Sequence, residues 1–328
     1  MKTLVTGATG FVGAAVARQL CRQGHHVRAL VRPTSDRRNL GGLPVELVTG
    51  DLTDQTSVAA AVRGCDALFH VAADYRLWVR DPALMMASNV QGTRNLMVAA
   101  AAAGVSRIVY TSTVATVGVA AGVAADETTP IVQADMIGPY KQSKYLAEIE
   151  VLRLVGEEGL PAIIVNPSTP VGPGDIKPTP TGRMIVEALA GRMPVYVNTG
   201  LNIVHVDDVA AGHLLAFEKG VIGERYILGG DNMTLCEILC QIALISGRRP
   251  PVARIPVNAA FAVALIAEGW SRLVDREPFV TLDSVRLARK TMFYSSEKAI
   301  QALGYAPREA RQALADAIGW FLRKGCPS

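Results

Sequence analysis

The chain is sparing with the residue types that would commit it to several common classes. Of its 328 residues 19% are charged and 5% aromatic, and the net charge is +4. Lys and Arg are scattered, so the electrostatic footprint of a nucleic-acid binder is missing. The pairs Arg37-Arg38 and Arg248-Arg249 stand alone and read as solvated turns. Cysteine is scarce too: Cys21, Cys65, Cys236, Cys240 and Cys326 form an odd set without framework spacing, as expected of reduced thiols in a cytoplasmic protein. Cys236 and Cys240 are one helical turn apart, but no His or acidic cluster stands beside them in sequence to complete a metal site.

Long hydrophobic runs are also lacking. The longest apolar stretch, Ile255 to Trp270, is interrupted by Asn258 and Glu268 and falls short of the ~20 residues that cross a bilayer. It reads as a buried or oligomer-forming helix. The N-terminus enters a strand without a basic region, a signal-length apolar core or a cleavage site. Neither internal repeats nor low complexity beyond an alanine run at 99 to 103 is seen. No G-x-S-x-G elbow occurs, and the five histidines divide between a turn (His25-His26) and the apparent core (His70, His205, His213), which discounts serine-hydrolase chemistry.

What the chain has is bulk apolar content. Half of its residues are hydrophobic, which excludes disorder and suffices for a large core. Short runs rich in Val, Ile and Leu alternate with helix-like segments through the first half: "TLVTG" then "AAVARQLCRQG", "HVRALVR", "VELVTGD" then "TSVAAAVRG", "ALFHVAA", "RIVYTSTVATVG", "PAIIVNPS". The strands are mostly continuous instead of alternating, as when helices cover both faces of a parallel sheet. The fold class expected is therefore α/β, a Rossmann-type doubly wound parallel sheet over residues 1–168, with 199–230 returning to it. A smaller, mainly helical substrate region would occupy 169–328. Five prolines between 167 and 180 predict a rigid loop there, neither helix nor strand. Asp207 and Asp208 are expected to cap the helix that follows them.

The stretch "KTLVTGATGFVG" sets Gly7, Gly10 and Gly13 between the first strand and a helix beginning near Phe11. Gly7 permits the tight turn, Gly10 lets a pyrophosphate approach the backbone, and Gly13 lets the helix pack on the sheet. The helix-start N–H groups then meet the phosphate charge, with Thr9, Phe11 and Val12 completing the turn. An acid about 20 positions past such glycines accepts the ribose hydroxyls in NAD-preferring proteins. Here the second strand ends in Arg32, and Arg32, Ser35 and Arg37 can reach a 2′-phosphate. NADP is therefore favoured over NAD.

Downstream, "YKQSK" places Tyr140 and Lys144 four residues apart, on one face of a helix. The strand "IVYTSTVATVG" delivers Ser112 and Thr113. Together with the glycine loop these residues resemble the catalytic set of the short-chain dehydrogenase/reductase superfamily, extended type. A phenol has a normal pKa near 10, and a nearby ammonium favours its phenolate, so Tyr140 is suited to proton transfer at a substrate hydroxyl. The resemblance implies that Lys144 also holds the nicotinamide ribose and that Thr113 holds the substrate oxygen.

It extends over nearly the whole chain. "GDLTD" looks like the adenine-contacting turn, with Asp51 and Leu52; "FHVAA" like the strand end beside the cofactor, with Val71, Ala72 and Ala73; "SNVQGTRNL" like the structural asparagine helix, with Asn89. In "NPSTPVGPGD", which includes Pro167, Asn166 and Val171 stand where many members have an arginine and a tyrosine. The phrases "RALVRPTSDRRNL", "HVAADYRLW", "NPSTPVGPGDIKPTPTGR" and "GLNIVHVDDVAAGHLLAFE" are similar to the hopanoid-associated sugar epimerases, themselves related to dihydroflavonol 4-reductases. That implies a bacterial cytoplasmic sugar epimerase near hopanoid biosynthesis, working by hydride and proton transfer at a carbinol carbon of a sugar, nucleotide sugar or carbonyl compound, with an NADPH-dependent carbonyl reductase as the alternative. A homodimer through paired helices is implied as well. Candidate substrate contacts are Asp74, Tyr75, Arg76 and Trp78, then Lys177, Arg183 and His205. A different class, a non-catalytic NADP sensor or scaffold on the same fold, is disfavoured by the intact Tyr-Lys pair.

Overall fold

In the computed structural model, residues 1–76, 79, 81–119, 122–274 and 282–324 are described. The apolar runs become strands β1 (Lys2–Thr6), β2 (His26–Val31), β3 (Val45–Thr49), β4 (Ala67–His70), β5 (Arg107–Thr111) and β6 (Ala162–Pro167). Further along come β7 (Thr169–Val171), β8 (Val195–Tyr196), β9 (Gly200–His205), β10 (Arg225–Leu228), β11 (Asp231–Thr234), β12 (Ala253–Arg254) and β13 (Thr291–Met292). The helices are α1 (Phe11–Arg22), α2 (Gln55–Val62), α3 (Pro82–Met86), α4 (Gly92–Ala102), α5 (Gly138–Glu158) and α6 (Pro180–Leu189). They continue as α7 (Val206–Lys219), α8 (Leu235–Ser246), α9 (Val257–Val274), α10 (Leu282–Leu287), α11 (Glu297–Leu303) and α12 (Ala310–Lys324).

Seven strands form one parallel sheet in the order β10-β6-β5-β4-β1-β2-β3. The order reverses between β1 and β4, and the crevice at that switch point is where this architecture binds ligands. Every residue of β4 and of β6 is buried, which is why those runs show no alternation. Each such Val, Ile or Leu contributes about 1.5–3 kcal/mol by leaving water. One core unites α1 and α7 with a face of the sheet, through Val16, Leu20, Val209 and Leu214. A second unites α2, α4 and α5 with the opposite face, through Val58, Leu96, Val151 and Leu154. The three-layer doubly wound fold predicted from the sequence is the one observed.

A third core joins α6, α8 and α12 to β9. Here the proline-rich segment departs from expectation, because Thr169-Pro170-Val171 pairs in parallel with β9, Val171 opposite His205. A proline is tolerated on such an edge, where its missing N–H costs no ladder bond. The second departure concerns α7, whose N-cap is His205: the Nδ1 atom accepts the Asp207 N–H at 3.0 Å. Asp207 and Asp208 lie inside the first turn and pair with Arg18 and Arg308. Negative charge is favourable there as well as at the cap, so composition could not tell the two positions apart.

Candidate active site

The glycine turn is shaped by close approach. Gly7 has φ +71°, and a Cβ on it would lie 2.7 Å from the Ala72 backbone. A Cβ on Gly13 would fall 2.1 Å from the Gly7 carbonyl, so α1 packs on the turn only without a side chain there. Gly10 is the N-cap of α1 and no side chain caps that end, nor does an acid occupy the first turn. The N–H groups of Phe11, Val12 and Gly13 thus open the helix without a side-chain acceptor, a donor set that fits a dinucleotide pyrophosphate. Thr9 lies in the same turn and offers its carbonyl to Asn39 Nδ2 at 3.4 Å.

The strand ends around this turn carry the other expected cofactor residues. Arg32 follows β2 directly and is exposed. Hydrogen bonds from Thr53 hold the Asp51 carboxyl below its usual range, and the Arg32 guanidinium adds to this, so the two face one space. Leu52 is fixed by its carbonyl accepting Asn95 Nδ2 at 3.0 Å, and it packs against Gly92, where a Cβ would meet it at 2.8 Å. Beyond β4, the Val71 N–H donates to the Thr6 carbonyl and the Ala72 N–H to Thr6 Oγ1, carrying Val71, Ala72 and Ala73 past the glycine turn. Pro167 closes β6.

On α5, Tyr140, Lys144 and Glu148 follow one another at four-residue intervals and share a face. Burial raises the Tyr140 phenol, and a hydrogen bond with Thr113 pulls it back. Lys144 is 2% exposed, and burial brings its ammonium down to about 7, against the pull of Glu148. Its Nζ donates to the Tyr110 hydroxyl at 2.9 Å and to the Thr111 carbonyl at 2.8 Å, and it lies 4.5 Å from the Tyr110 ring centroid. Thr113 caps a short 3₁₀ turn through Ala115 N–H at 3.2 Å, and Ser112 is buried beside it, 3.5 Å from Thr116 Oγ1. The sequence-predicted group of Thr113, Tyr140 and Lys144 is therefore gathered where β5 meets α5.

Three supporting residues were missed by reading the sequence. Tyr110 needed the knowledge that β5 faces α5. Glu148 continues the spacing of Tyr140 and Lys144 and was legible in principle; it accepts from Thr116 Oγ1 at 2.8 Å and from Asn166 Nδ2 at 3.0 Å. Asn166 also donates to the Thr113 carbonyl at 3.0 Å. The third, His70, has both ring nitrogens engaged, by Thr6 Oγ1 at 2.7 Å and Thr93 Oγ1 at 2.9 Å. Burial, then the charge of Lys144, holds its imidazole down to about 3, so it is neutral. Thr93 donates to the Asn89 carbonyl, Asn89 to Ser143 Oγ, and Ser143 to the Tyr140 carbonyl. Asn89 sits in a π-helical turn, Ala87–Gln91, and grips Asp74 by its N–H at 2.7 Å and its carbonyl at 2.9 Å.

The expected substrate contacts scatter. Asp74 and Arg76 form a two-pronged ion pair; burial pushes the Asp74 carboxyl up, but the Arg76 hydrogen bonds outweigh it and hold it low. Tyr75 is half-exposed, its phenol raised by burial and by Asp175 and Asp74. Arg183 is exposed on α6, within electrostatic reach of Glu187. His205 is 1% exposed: its Nδ1 caps α7, and its buried Nε2 lies 3.4 Å from Asp316 without a hydrogen bond. Lys177 is exposed and stands near Asp36, on the side of the β2 end. Trp78 and Cys326 lie outside the described residues. Among the described residues no group of three or more metal-ligating side chains occurs, and no helix is long and apolar enough to cross a membrane.

A phosphate-accepting glycine turn at the switch point of a doubly wound sheet, with a phenol, an ammonium and a hydroxyl gathered beside it, defines a nicotinamide-dependent enzyme of the short-chain dehydrogenase/reductase type. The chain belongs to the NAD dependent epimerase/dehydratase family, whose pattern matches residues 3–229. It is 47% identical to a putative dihydroflavonol 4-reductase of Synechocystis, over 98% of this chain and 94% of that one. It is 37% identical to sterol demethylase protein B of Methylococcus capsulatus, over 99% of both. The crystal structure of gox2253 superimposes with a TM-score of 0.89 at 57% identity, covering 99% of each chain.

Proposed function

We propose that the protein is an NADP(H)-dependent carbonyl reductase, interconverting a carbonyl compound and its alcohol with Tyr140, Lys144 and Thr113 as the reacting and orienting groups. Bound nicotinamide supplies or takes the hydride. The Tyr140 phenol gives the proton to the developing alkoxide, or removes it in the oxidative direction. Thr113, close enough to that phenol to lower its pKa, orients the substrate oxygen beside it. Lys144, in its ammonium form, favours the Tyr140 phenolate, and Ser112 packs beneath Thr113.

The observation that carries the NADP reading is Arg32: an exposed cation at the end of β2, where an NAD site would present a carboxylate. Cofactor exchanged at every turnover suits a reductase, and the 47% identical relative bears a reductase name. A second reading, a sugar epimerase associated with hopanoid lipids, is supported by the family's name and by the phrases quoted from the sequence.

Gel filtration of the purified protein followed by assay separates the two. Free protein that steadily consumes NADPH with aldehydes or ketones supports the reductase. Stoichiometric retained nicotinamide, with nucleotide-sugar epimers interconverted and no net NADPH change, supports the epimerase. Tight NADP binding without either activity would leave a cofactor-binding scaffold.

A further inference from the structure

The segment that follows β7 was expected to face the substrate, yet it is fastened to the nucleotide-binding turn. Asn39, in the short 3₁₀ turn Arg38–Leu40 after β2, donates Nδ2 to the Gly174 carbonyl at 3.0 Å. The same nitrogen lies 3.4 Å from the carbonyls of Thr9 and Gly10, inside the glycine turn. Gly174 has φ +99°, a conformation that lets its carbonyl also accept the Ile176 N–H at 2.9 Å.

The next residues form a stiff projection. Asp175, 3% exposed, accepts the Thr179 N–H at 2.9 Å and Thr179 Oγ1 at 2.8 Å, closing residues 175–179 into one turn. Pro178 and Pro180 restrict its far limb. At the tip stands Lys177, exposed and, among the described residues, engaged in no ion pair or hydrogen bond. Its charge is felt by Asp36, in the loop that carries Arg32 and Arg37. Asp36 itself is already gripped by Arg38, with contacts of 3.0 and 2.6 Å, so it does not neutralise the lysine.

We propose that Lys177 is a cofactor-specificity residue, carried by the Asn39 latch to the adenosine end of the site, where with Arg32 it recognises the 2′-phosphate of NADP. The assignment rests on the NADP reading above and adds to it a cation from a segment more than a hundred residues away. Held at both ends of its turn, the backbone that carries the lysine need not be ordered when an anion binds.

The test is fluorescence titration of the full-length protein with NADPH and NADH, with adenosine 2′,5′-bisphosphate as competitor, for wild type, Lys177→Glu and Asn39→Ala. Lys177→Glu is expected to weaken NADPH and the bisphosphate about tenfold and to leave NADH nearly unchanged. Asn39→Ala should lower the NADPH preference in the same direction by a smaller factor. Wild-type preference for NADPH that survives intact in Lys177→Glu overturns the assignment while sparing Arg32 and the NADP reading. Equal weakening of NADH and NADPH overturns it too, as does a Lys177→Glu effect confined to substrate KM. Wild-type protein that binds NADH as tightly as NADPH overturns the NADP reading and this inference with it. An Asn39→Ala preference equal to wild type overturns the role given to the Asn39 latch.

Discussion

The side-chain amide of Asn166 donates to the Glu148 carboxylate at 3.0 Å, directly behind Thr113. Arg225, on the edge strand β10, reaches the same carboxylate at 3.3 Å. Glu148 thus has a cationic partner while Asn166 also reaches the Thr113 carbonyl.

Glu148→Gln should therefore act on turnover more than on cofactor binding. Loosening the shelf under Thr113 is expected to lower kcat on the order of tenfold or more, because small misplacement of an orienting group is costly. Steady-state kinetics with a parallel NADPH titration checks this. An unchanged kcat, or a loss found entirely in NADPH affinity, would remove Glu148 from the positioning of Thr113.

Tyr140→Phe removes one oxygen from the proton path. A rate loss on the order of 10²–10⁴-fold is expected, with NADPH affinity nearly unchanged, since general acid-base catalysis contributes about that much. Wild-type rates in this variant would reject the assignment of Tyr140 outright.

Lys144 links the site to stability. Its folded pKa is depressed to about 7 by burial, so the unfolded chain binds the proton more readily. The cost is complete below about pH 7, where both states are charged, and it fades as pH rises toward the ordinary lysine value near 10.4. Melting of cofactor-free Lys144→Met against wild type should show a difference that favours the variant most at pH 7 and declines toward pH 10. A difference independent of pH would contradict the burial of a titrating amine.

His70 and His213 predict an acid limb. Burial holds their imidazoles down to about 3 and about 4, so both are neutral in the folded protein. The unfolded chain takes up protons as pH falls through 6.5, and stability is lost from there down to the folded values. Denaturant midpoints between pH 7 and 4 should fall for wild type and fall less steeply for His70→Gln. Parallel slopes would show that His70 does not titrate differently in the two states.

Several elements of the site were legible because they are local. Gly7, Gly10 and Gly13 declare a tight turn between strand and helix within seven residues, and Tyr140 and Lys144 declare one helical face. Inner strands such as β4 and β6 could be read because burial on both faces removes polar alternation. The strand β7 was not legible, since the prolines around it predict a loop and its partner β9 lies about thirty residues on. The role of His205 Nδ1 as the cap of α7 was not legible either, because its place between β9 and α7 does not reveal which way the ring turns.

The amino-acid order alone determined the doubly wound class, the phosphate turn and the Tyr-Lys pair, because each depends on residues within one or two turns of each other, where periodicity and backbone sterics decide the outcome. Only the tertiary structure decided which distant groups serve them. Tyr110 under Lys144, Asn166 and Arg225 on Glu148, and Asn39 on Gly174, 135 residues away in sequence, owe their contacts to sheet order and helix packing. No local propensity encodes that kind of proximity, since hydrogen bonds across the fold are made by whichever polar groups burial brings within reach.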